Sequence, residues 1–337
     1  MPPNPLQRYH SILDGETEAR FLQAKKIKVN VRLNRDIQTL WEEHKKALDA
    51  GYGTTSSVSL LDLKSELASR SLDDCALCER RCGTNRRGGV KGHCGVLEPR
   101  ISSSFLHMGE EPELVPSYTI FFSGCTFNCV FCQNWDISTK PEAGATMEPE
   151  TVARMIEAKL PGKSCATIMK SAKNVNWVGG DPTSNLPFIL NVLKATDANL
   201  PQVWNSNMYL TEDSMSLLDG IIDVYLTDFK YGNDRCALRL SNAPEYMRIV
   251  TRNHRLARQN GEMIIRHLVL PGHLNCCTKP VLQWIAENLR DVKVNVMGQY
   301  RPAHRAKDYD EISRPLKLSE FKEALETAED FDLDLTD

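Results

Sequence analysis

The sequence predicts an α/β fold: a partial (β/α)6 barrel, or an open sheet of the same units, behind a helical and cysteine-rich N-terminal extension. Three observations predict it. From about residue 117 short apolar runs alternate with amphipathic stretches. The runs at 118–123, 175–178, 203–205, 221–227, 263–269 and 292–296 read as six strands. The stretches between them carry apolar residues at helical spacing, as in Val281, Leu282, Ile285, Ala286 and Leu289. Strands alternating with helices pair in parallel through right-handed crossovers. Six units fall short of a closed eight-stranded barrel, so the expected form is a partial TIM-like barrel. Its functional face lies at the C-terminal ends of the strands.

Each segment follows from its own pattern. Residues 1–72 read as a helical extension, with Ile37, Leu40, Trp41 and Leu48 in one periodic stretch. A Gly/Ser/Thr-rich break spans Gly51 to Ser57, and Leu60, Leu61, Leu63 and Leu67 follow. Residues 73–116 are poor in core formers and hold four Cys, so this segment needs another staple, and a metal would serve. Residues 117–330 form the barrel, closed by a helix with Leu318, Phe321, Leu325 and Ala328 on one face. Residues 331–337 are an acidic tail.

Composition narrows the class. The chain has 337 residues, 41% apolar and 25% charged, which suits a folded globular protein. Its 41 basic and 44 acidic residues give a net charge of −3, against the basic footprint of a nucleic-acid-coating protein. No apolar run approaches the roughly 18 residues of a membrane span, and the first 21 residues lack the apolar core of a signal peptide. The expectation is a cytoplasmic protein without a membrane partner, and the charge balance disfavours nucleic acid but leaves room for one bound by a local patch. Of 11 Cys, seven lie between Cys75 and Cys132. In a reducing compartment such a cluster points to metal ligation rather than disulfides.

The segment TIFFSGCTFNCVFCQNWDIS places Cys125, Cys129 and Cys132 directly after the first strand, with Gly124 at the turn. Close-set thiolates favour zinc or iron–sulfur. Clusters usually take four Cys, so three leave one iron of a [4Fe–4S] cluster open to a cofactor or substrate. A zinc knuckle with a remote fourth ligand competes, but the place after the first strand of a βα series weighs against it. The pattern C-x3-C-x2-C, with Phe131 before the third Cys, resembles the radical S-adenosylmethionine (SAM) superfamily. The resemblance implies a cluster whose open iron binds the amino and carboxylate groups of SAM. It also implies a one-electron donor of the flavodoxin or ferredoxin type.

Further candidates sit at later strand ends. Gly179 and Gly180 permit a tight turn and close ligand approach, and Asp181 offers a carboxylate to an ammonium group. This run resembles the family's GGE motif with Asp for Glu, which implies contact with the SAM amino group. Asn205, Ser206 and Asn207 place polar groups at the next strand end, where a helix N-cap is the competing reading. Asp228 and Lys230 share a face two residues apart, and resemble the D-x-K element beside SAM in activating enzymes of glycyl radical proteins. Arg266 has the fork to clamp a carboxylate. His267 and His273 read first as structural histidines. Cys276 and Cys277 read as small buried thiols on an extended segment, and a thiol near a radical can also donate a hydrogen atom.

Cys75, Cys78, Cys82 and Cys94 form a second constellation with gaps of 2, 3 and 11 residues. Four thiolates close a tetrahedral site for zinc, a single iron or an auxiliary iron–sulfur cluster. Arg80, Arg81, Arg86, Arg87 and Lys91 make this stretch basic, as a solvated loop or as a face for an acidic partner or nucleic acid. From about Cys75 to Thr327 the chain resembles homologues of pyruvate formate-lyase activating enzyme that carry such a four-Cys segment. That implies hydrogen abstraction from a protein, peptide or small-molecule substrate, with activation of a glycyl radical enzyme as one form. Two other classes compete: an iron–sulfur electron carrier and a zinc-stabilised RNA-binding module.

Overall fold

The computed structural model describes residues 4–50, 56–160, 162 and 171–336. Cys165 and most of the Gly/Ser/Thr-rich break lie outside the described residues. Four helices come first: α1 (Gln7–Leu13), α2 (Arg20–Lys26), α3 (Ile37–Ala50) and α4 (Leu60–Arg70). Seven strands follow: β1 (Ile101–His107), β2 (Ser117–Phe122), β3 (Asn174–Gly179), β4 (Gln202–Ser206), β5 (Val224–Asp228), β6 (Glu262–Leu268) and β7 (Lys293–Met297). They form one sheet in chain order, with β1 antiparallel to β2 and every later pair parallel. Among the described residues β7 pairs with no strand but β6, so the sheet does not close; Val294 of β7 makes a further single parallel bridge to Leu335.

All six expected strands are present, and the fold is the expected α/β partial barrel. The strand that patterning missed is β1. Its sequence, ISSSFLH, alternates only weakly, as an edge strand exposed on one face does. It lies in the stretch expected as metal-binding extension, yet it joins the sheet.

The crossovers carry α5 (Trp135–Ser138), α6 (Pro149–Glu157), α7 (Leu186–Ala195), α8 (Glu212–Leu218), α9 (Asp234–Ser241), α10 (Tyr246–Asn260) and α11 (Lys279–Asn288). The chain ends in α12 (Leu318–Asp330). Helices cover the outer face of the sheet, where Trp177, Trp204 and Tyr225 are fully buried. The inner face has a small core of its own. Val203, Val224, Leu226 and Ile264 meet Leu6 and Tyr9 of the N-terminal segment.

Helix α1 therefore plugs the lower end of the barrel. Two of its first-turn amides donate to the Glu262 carboxylate at the start of β6, Arg8 N at 2.6 Å and Tyr9 N at 2.8 Å. A carboxylate on orphan amides at a helix start offsets both their desolvation and the helix dipole. The Tyr9 hydroxyl accepts from Asn174 Nδ2 at 2.9 Å. With the lower end sealed by helix, the open upper end is left for chemistry.

Candidate active site

The upper end opens into a cavity of about 380 Å3, within the range of cofactor pockets. Cys125, Cys129 and Cys132 line it from the loop after β2. Gly124 turns that loop at φ +87°, and a Cβ there would lie 2.3 Å from Val96 Cγ2, so only glycine fits. Asn128 N and Val130 N donate to the carbonyls of Ser241 and Leu240, which ties the loop to the C-terminal end of α9. Phe131 is buried edge-on to Tyr231 and Tyr300.

Each thiol has polar company. Ser241 Oγ donates to Cys129 Sγ at 2.9 Å. Cys132 Sγ lies 3.4 Å from Ser138 Oγ. Cys125 Sγ accepts from Phe127 N at 3.4 Å and lies 3.3 Å from the Gly180 carbonyl. Burial pushes the Cys125 thiol well up, and pushes Cys129 up to about 11 against the nearby Lys230 charge. Such thiols become thiolates by coordinating a metal, which deprotonates them outright.

The glycine pair does something sequence reasoning did not assign to it. A Cβ on Gly179 would lie 2.1 Å from the Phe122 carbonyl, and one on Gly180 would lie 2.1 Å from the Gly124 carbonyl. The pair lets the end of β3 press onto the turn that carries Cys125. Asp181 is buried and its carboxylate is already bound. Oδ1 accepts from Thr183 N at 3.0 Å, and Oδ2 accepts from Ser206 Oγ at 2.9 Å and Asn207 N at 3.0 Å. Burial raises its pKa, while these three donors work the other way. It therefore braces the ends of β3 and β4 from the cavity wall.

Asn205 and Ser206 also line the cavity. The capping alternative for Ser206 and Asn207 fails, because α8 starts at Glu212 and its cap is Thr211. Asp228 and Lys230 are paired at 2.7 Å on the cavity wall. Burial disfavours the Lys230 ammonium, but Asp228 and the Cys129 and Cys132 thiols outweigh it and raise its pKa.

Arg266 lines the cavity but its fork is occupied from within. Nε and Nη2 donate to Glu111 at 2.6 Å each, and Nη2 also meets Glu110. Burial opposes the cation, and Glu111 and Glu110 more than offset it. Asn295 donates to Glu111 at 2.9 Å and Asn176 donates to Glu110 at 2.9 Å. Arg266 clamps carboxylates as its chemistry suggests, but they belong to its own chain and make a polar floor. The two glutamates come from the β1–β2 connection, and sequence reasoning missed them. The signal was present as two adjacent acids in HMGEEPE, but nothing local pointed to their partner 155 residues on.

Cys276 and Cys277 are not among the residues lining the cavity. The segment expected to be extended is instead a π-helical turn, Leu274–Thr278, and both thiols gather with Cys236 and His273. His267 is structural, bonded to the Phe229 carbonyl at 2.7 Å and Thr278 Oγ1 at 2.9 Å.

Cys75, Cys78, Cys82 and Cys94 face one another across a narrow cleft beside Thr183 and Ser184, next to the Asp181 turn. Burial, then the charges of Cys94, Cys75 and Cys82, push the Cys78 thiol up. The five basic residues here have partners within the chain. Arg86 is buried and donates to the Val96 and Ser184 carbonyls. Arg80 donates to the Thr126 carbonyl at 3.0 Å and stacks on Tyr209. Arg81, Arg87 and Lys91 pair with Glu79, Asp73 and Glu142.

Three thiols on a loop after the first parallel strand, above a polar floor in an open α/β barrel, define a cluster-binding enzyme class. The chain belongs to the Radical SAM superfamily, whose family model matches residues 119–285. It is 45% identical over 344 aligned residues to uncharacterized protein MJ0674 of Methanocaldococcus jannaschii, covering 98% of each chain. A domain of pyruvate-formate lyase-activating enzyme from Bacteroides vulgatus is 15% identical with a TM-score of 0.41, covering 49% of this chain and 98% of its own. SuiB of Streptococcus suis bound to precursor peptide SuiA is 11% identical with a TM-score of 0.47, covering 88% and 60%. Membership implies a [4Fe–4S] cluster and SAM. The donor set fits: the cavity offers three soft thiols, a lysine beside two of them, and wall space for a cofactor. No helix is long and apolar enough to cross a membrane among the described residues.

Proposed function

We propose that this radical SAM enzyme abstracts hydrogen from a protein or peptide backbone, with activation of a glycyl radical enzyme as the form its motifs favour. The carrying observation is the convergence of the three thiols, the glycine turn, Asn205 and the Asp228–Lys230 pair on one cavity. The paired floor supports the substrate class. Glu110 and Glu111 outnumber Arg266 on this floor, so its net charge does not favour a small acidic substrate.

Cys125, Cys129 and Cys132 hold the cluster in this reading. When bound, the cluster and SAM supply a 5′-deoxyadenosyl radical by one-electron reductive cleavage of SAM. The chain's residues prepare that chemistry. The Ser241 hydroxyl donates to Cys129 Sγ, and such donors raise a cluster's reduction potential. The Lys230 ammonium beside Cys129 and Cys132 offsets their negative charge, and Asp228 fixes its position. Gly179 and Gly180 keep the β3 end against the cluster loop. Asn205 presents an amide to the polar groups of the cofactor. Phe127 and Phe131 wall the cavity with apolar surface that excludes water. The four-Cys site holds a second metal, as zinc, iron or an auxiliary cluster, and a flavodoxin- or ferredoxin-type protein supplies the electron.

The test is anaerobic reconstitution with iron and sulfide, then EPR of the reduced protein with and without SAM. A 5′-deoxyadenosine assay follows, with a peptide deuterated at glycine Cα. The expected outcome is a cluster signal perturbed by SAM, and deuterium in the nucleoside. A signal indifferent to SAM with no nucleoside would overturn the enzyme reading. Nucleoside free of deuterium would overturn the glycine target. Cys132→Ala is expected to lower nucleoside formation at least about 100-fold, beyond what loss of an outer-shell partner costs.

A further inference from the structure

Away from the cavity, Cys236, His273, Cys276 and Cys277 bring one imidazole nitrogen and three sulfurs together, all within 4.8 Å of one another. We propose that these four residues bind a single zinc ion, separate from both the cluster loop and the four-Cys segment.

The distances fit one tetrahedral ion. Zinc–sulfur bonds of about 2.3 Å and zinc–nitrogen bonds of about 2.0 Å require tetrahedral edges of about 3.8 Å between sulfurs and about 3.5 Å from nitrogen to sulfur. Here Cys276 Sγ lies 4.0 Å from Cys236 Sγ and 3.9 Å from Cys277 Sγ. His273 Nδ1 lies 3.3 Å from Cys276 Sγ, 3.7 Å from Cys236 Sγ and 3.8 Å from Cys277 Sγ. A disulfide would use two of these donors and leave the third thiol and the imidazole unexplained. A single ion uses all four. Three thiolates and an imidazole form a closed structural zinc set, with no position left for substrate.

The surroundings are built to hold the donors there. His273 Nε2 is buried without a hydrogen-bond partner among the described residues, so the three sulfurs are the polar contacts that orient this ring. Cys236 sits in the first turn of α9, directly after its Asn233 cap. In the helical turn Leu274–Thr278, Cys276 and Cys277 follow His273 by three and four positions, a spacing that keeps side chains near one face of the turn. Asn233 joins the two ligand-bearing segments. Its Oδ1 accepts from Cys236 N at 2.9 Å, and its Nδ2 donates to the Cys276 carbonyl at 2.7 Å and reaches Cys277 Sγ at 3.8 Å. A Cβ on Gly232 would lie 2.9 Å from the carbonyls of both Cys276 and Cys277, so the chain must pass there as glycine.

The ion has a positioning role, through α9. This helix has Cys236 near one end and Ser241 at the other. Ser241 donates to Cys129 Sγ, and the Leu240 and Ser241 carbonyls hold the cluster loop. Zinc at the first end would pin the helix whose second end shapes the three-thiol site.

The test uses the full chain, purified anaerobically. Metal analysis and zinc K-edge absorption are expected to show a zinc with three sulfur neighbours and one nitrogen. His273→Ala and Cys236→Ser should each lose one zinc equivalent while the four-Cys segment keeps its metal. His273→Cys should keep the zinc and exchange its nitrogen neighbour for sulfur. If the variants fail to fold, thiol mapping of the unaltered protein decides. Cys276 should resist N-ethylmaleimide until a chelator withdraws one zinc equivalent. Zinc content unchanged in both folded variants, absence of nitrogen-ligated zinc, immediate alkylation of Cys276, or a disulfide among these cysteines would each overturn the proposal.

Discussion

Arg266 and Asp181 show how a residue's chemistry is legible while its partner is not. Asp181 was expected to meet an ammonium group and Arg266 a carboxylate, and each has partners within its own chain. Arg266 carries a buried fork between two glutamates, and Glu111 is itself fully shielded in its side chain. Arg266→Lys keeps the charge and loses the fork, so the buried carboxylates lose donors they cannot recover from water. The variant is expected to be destabilised by about 3 kcal/mol, read as a lower urea midpoint at unchanged slope. An unchanged midpoint would show that the floor is held by other contacts.

Element by element, apolar periodicity located the six parallel strands because each has its buried residues in a short local run. It missed β1 because an edge strand needs no such run. It also could not foresee what α4 buries. Lys64 of that helix is fully buried, with Nζ 2.8 Å from His44 Nε2 and 2.8 Å from the Ser216 carbonyl. Burial lowers its pKa to about 7, against the opposing pull of Asp219. The sign follows from proton counting. Between pH 7 and the unfolded value of 10.5 the unfolded chain binds more protons than the folded one, so stability rises with pH through that window. Lys64 is expected to contribute a gain of about 2 kcal/mol from pH 7 to pH 9, read as the difference in pH dependence between the unaltered protein and Lys64→Met. Chemical denaturation of both proteins across that range checks it.

At the scale of the molecule, α1 closes the barrel from below. The α1 plug rests on Leu6 and Tyr9 against Val203, Val224, Leu226 and Ile264. Tyr9→Ala would leave a cavity and remove one of the two acceptors of the Asn174 amide, at a cost of about 4 kcal/mol. Equilibrium unfolding should show that loss, and hydrogen exchange should show β4–β6 amides opening sooner. Protection unchanged in those strands would mean that α1 does not seal the barrel.

The sequence by itself determined the alternation of strands and helices, the two cysteine constellations and the strand ends that line the cavity. Those signals are local: a period of two or 3.6 residues, or thiols a few positions apart. Only the tertiary structure decided that Arg266 faces Glu110 and Glu111, that the glycine pair presses on the cluster loop, and that α1 stoppers the barrel. It alone gathered Cys236 with His273, Cys276 and Cys277. These are pairings across tens to hundreds of residues, set by the order of strands in the sheet and by which side chains its curvature turns inward. No local pattern encodes that choice.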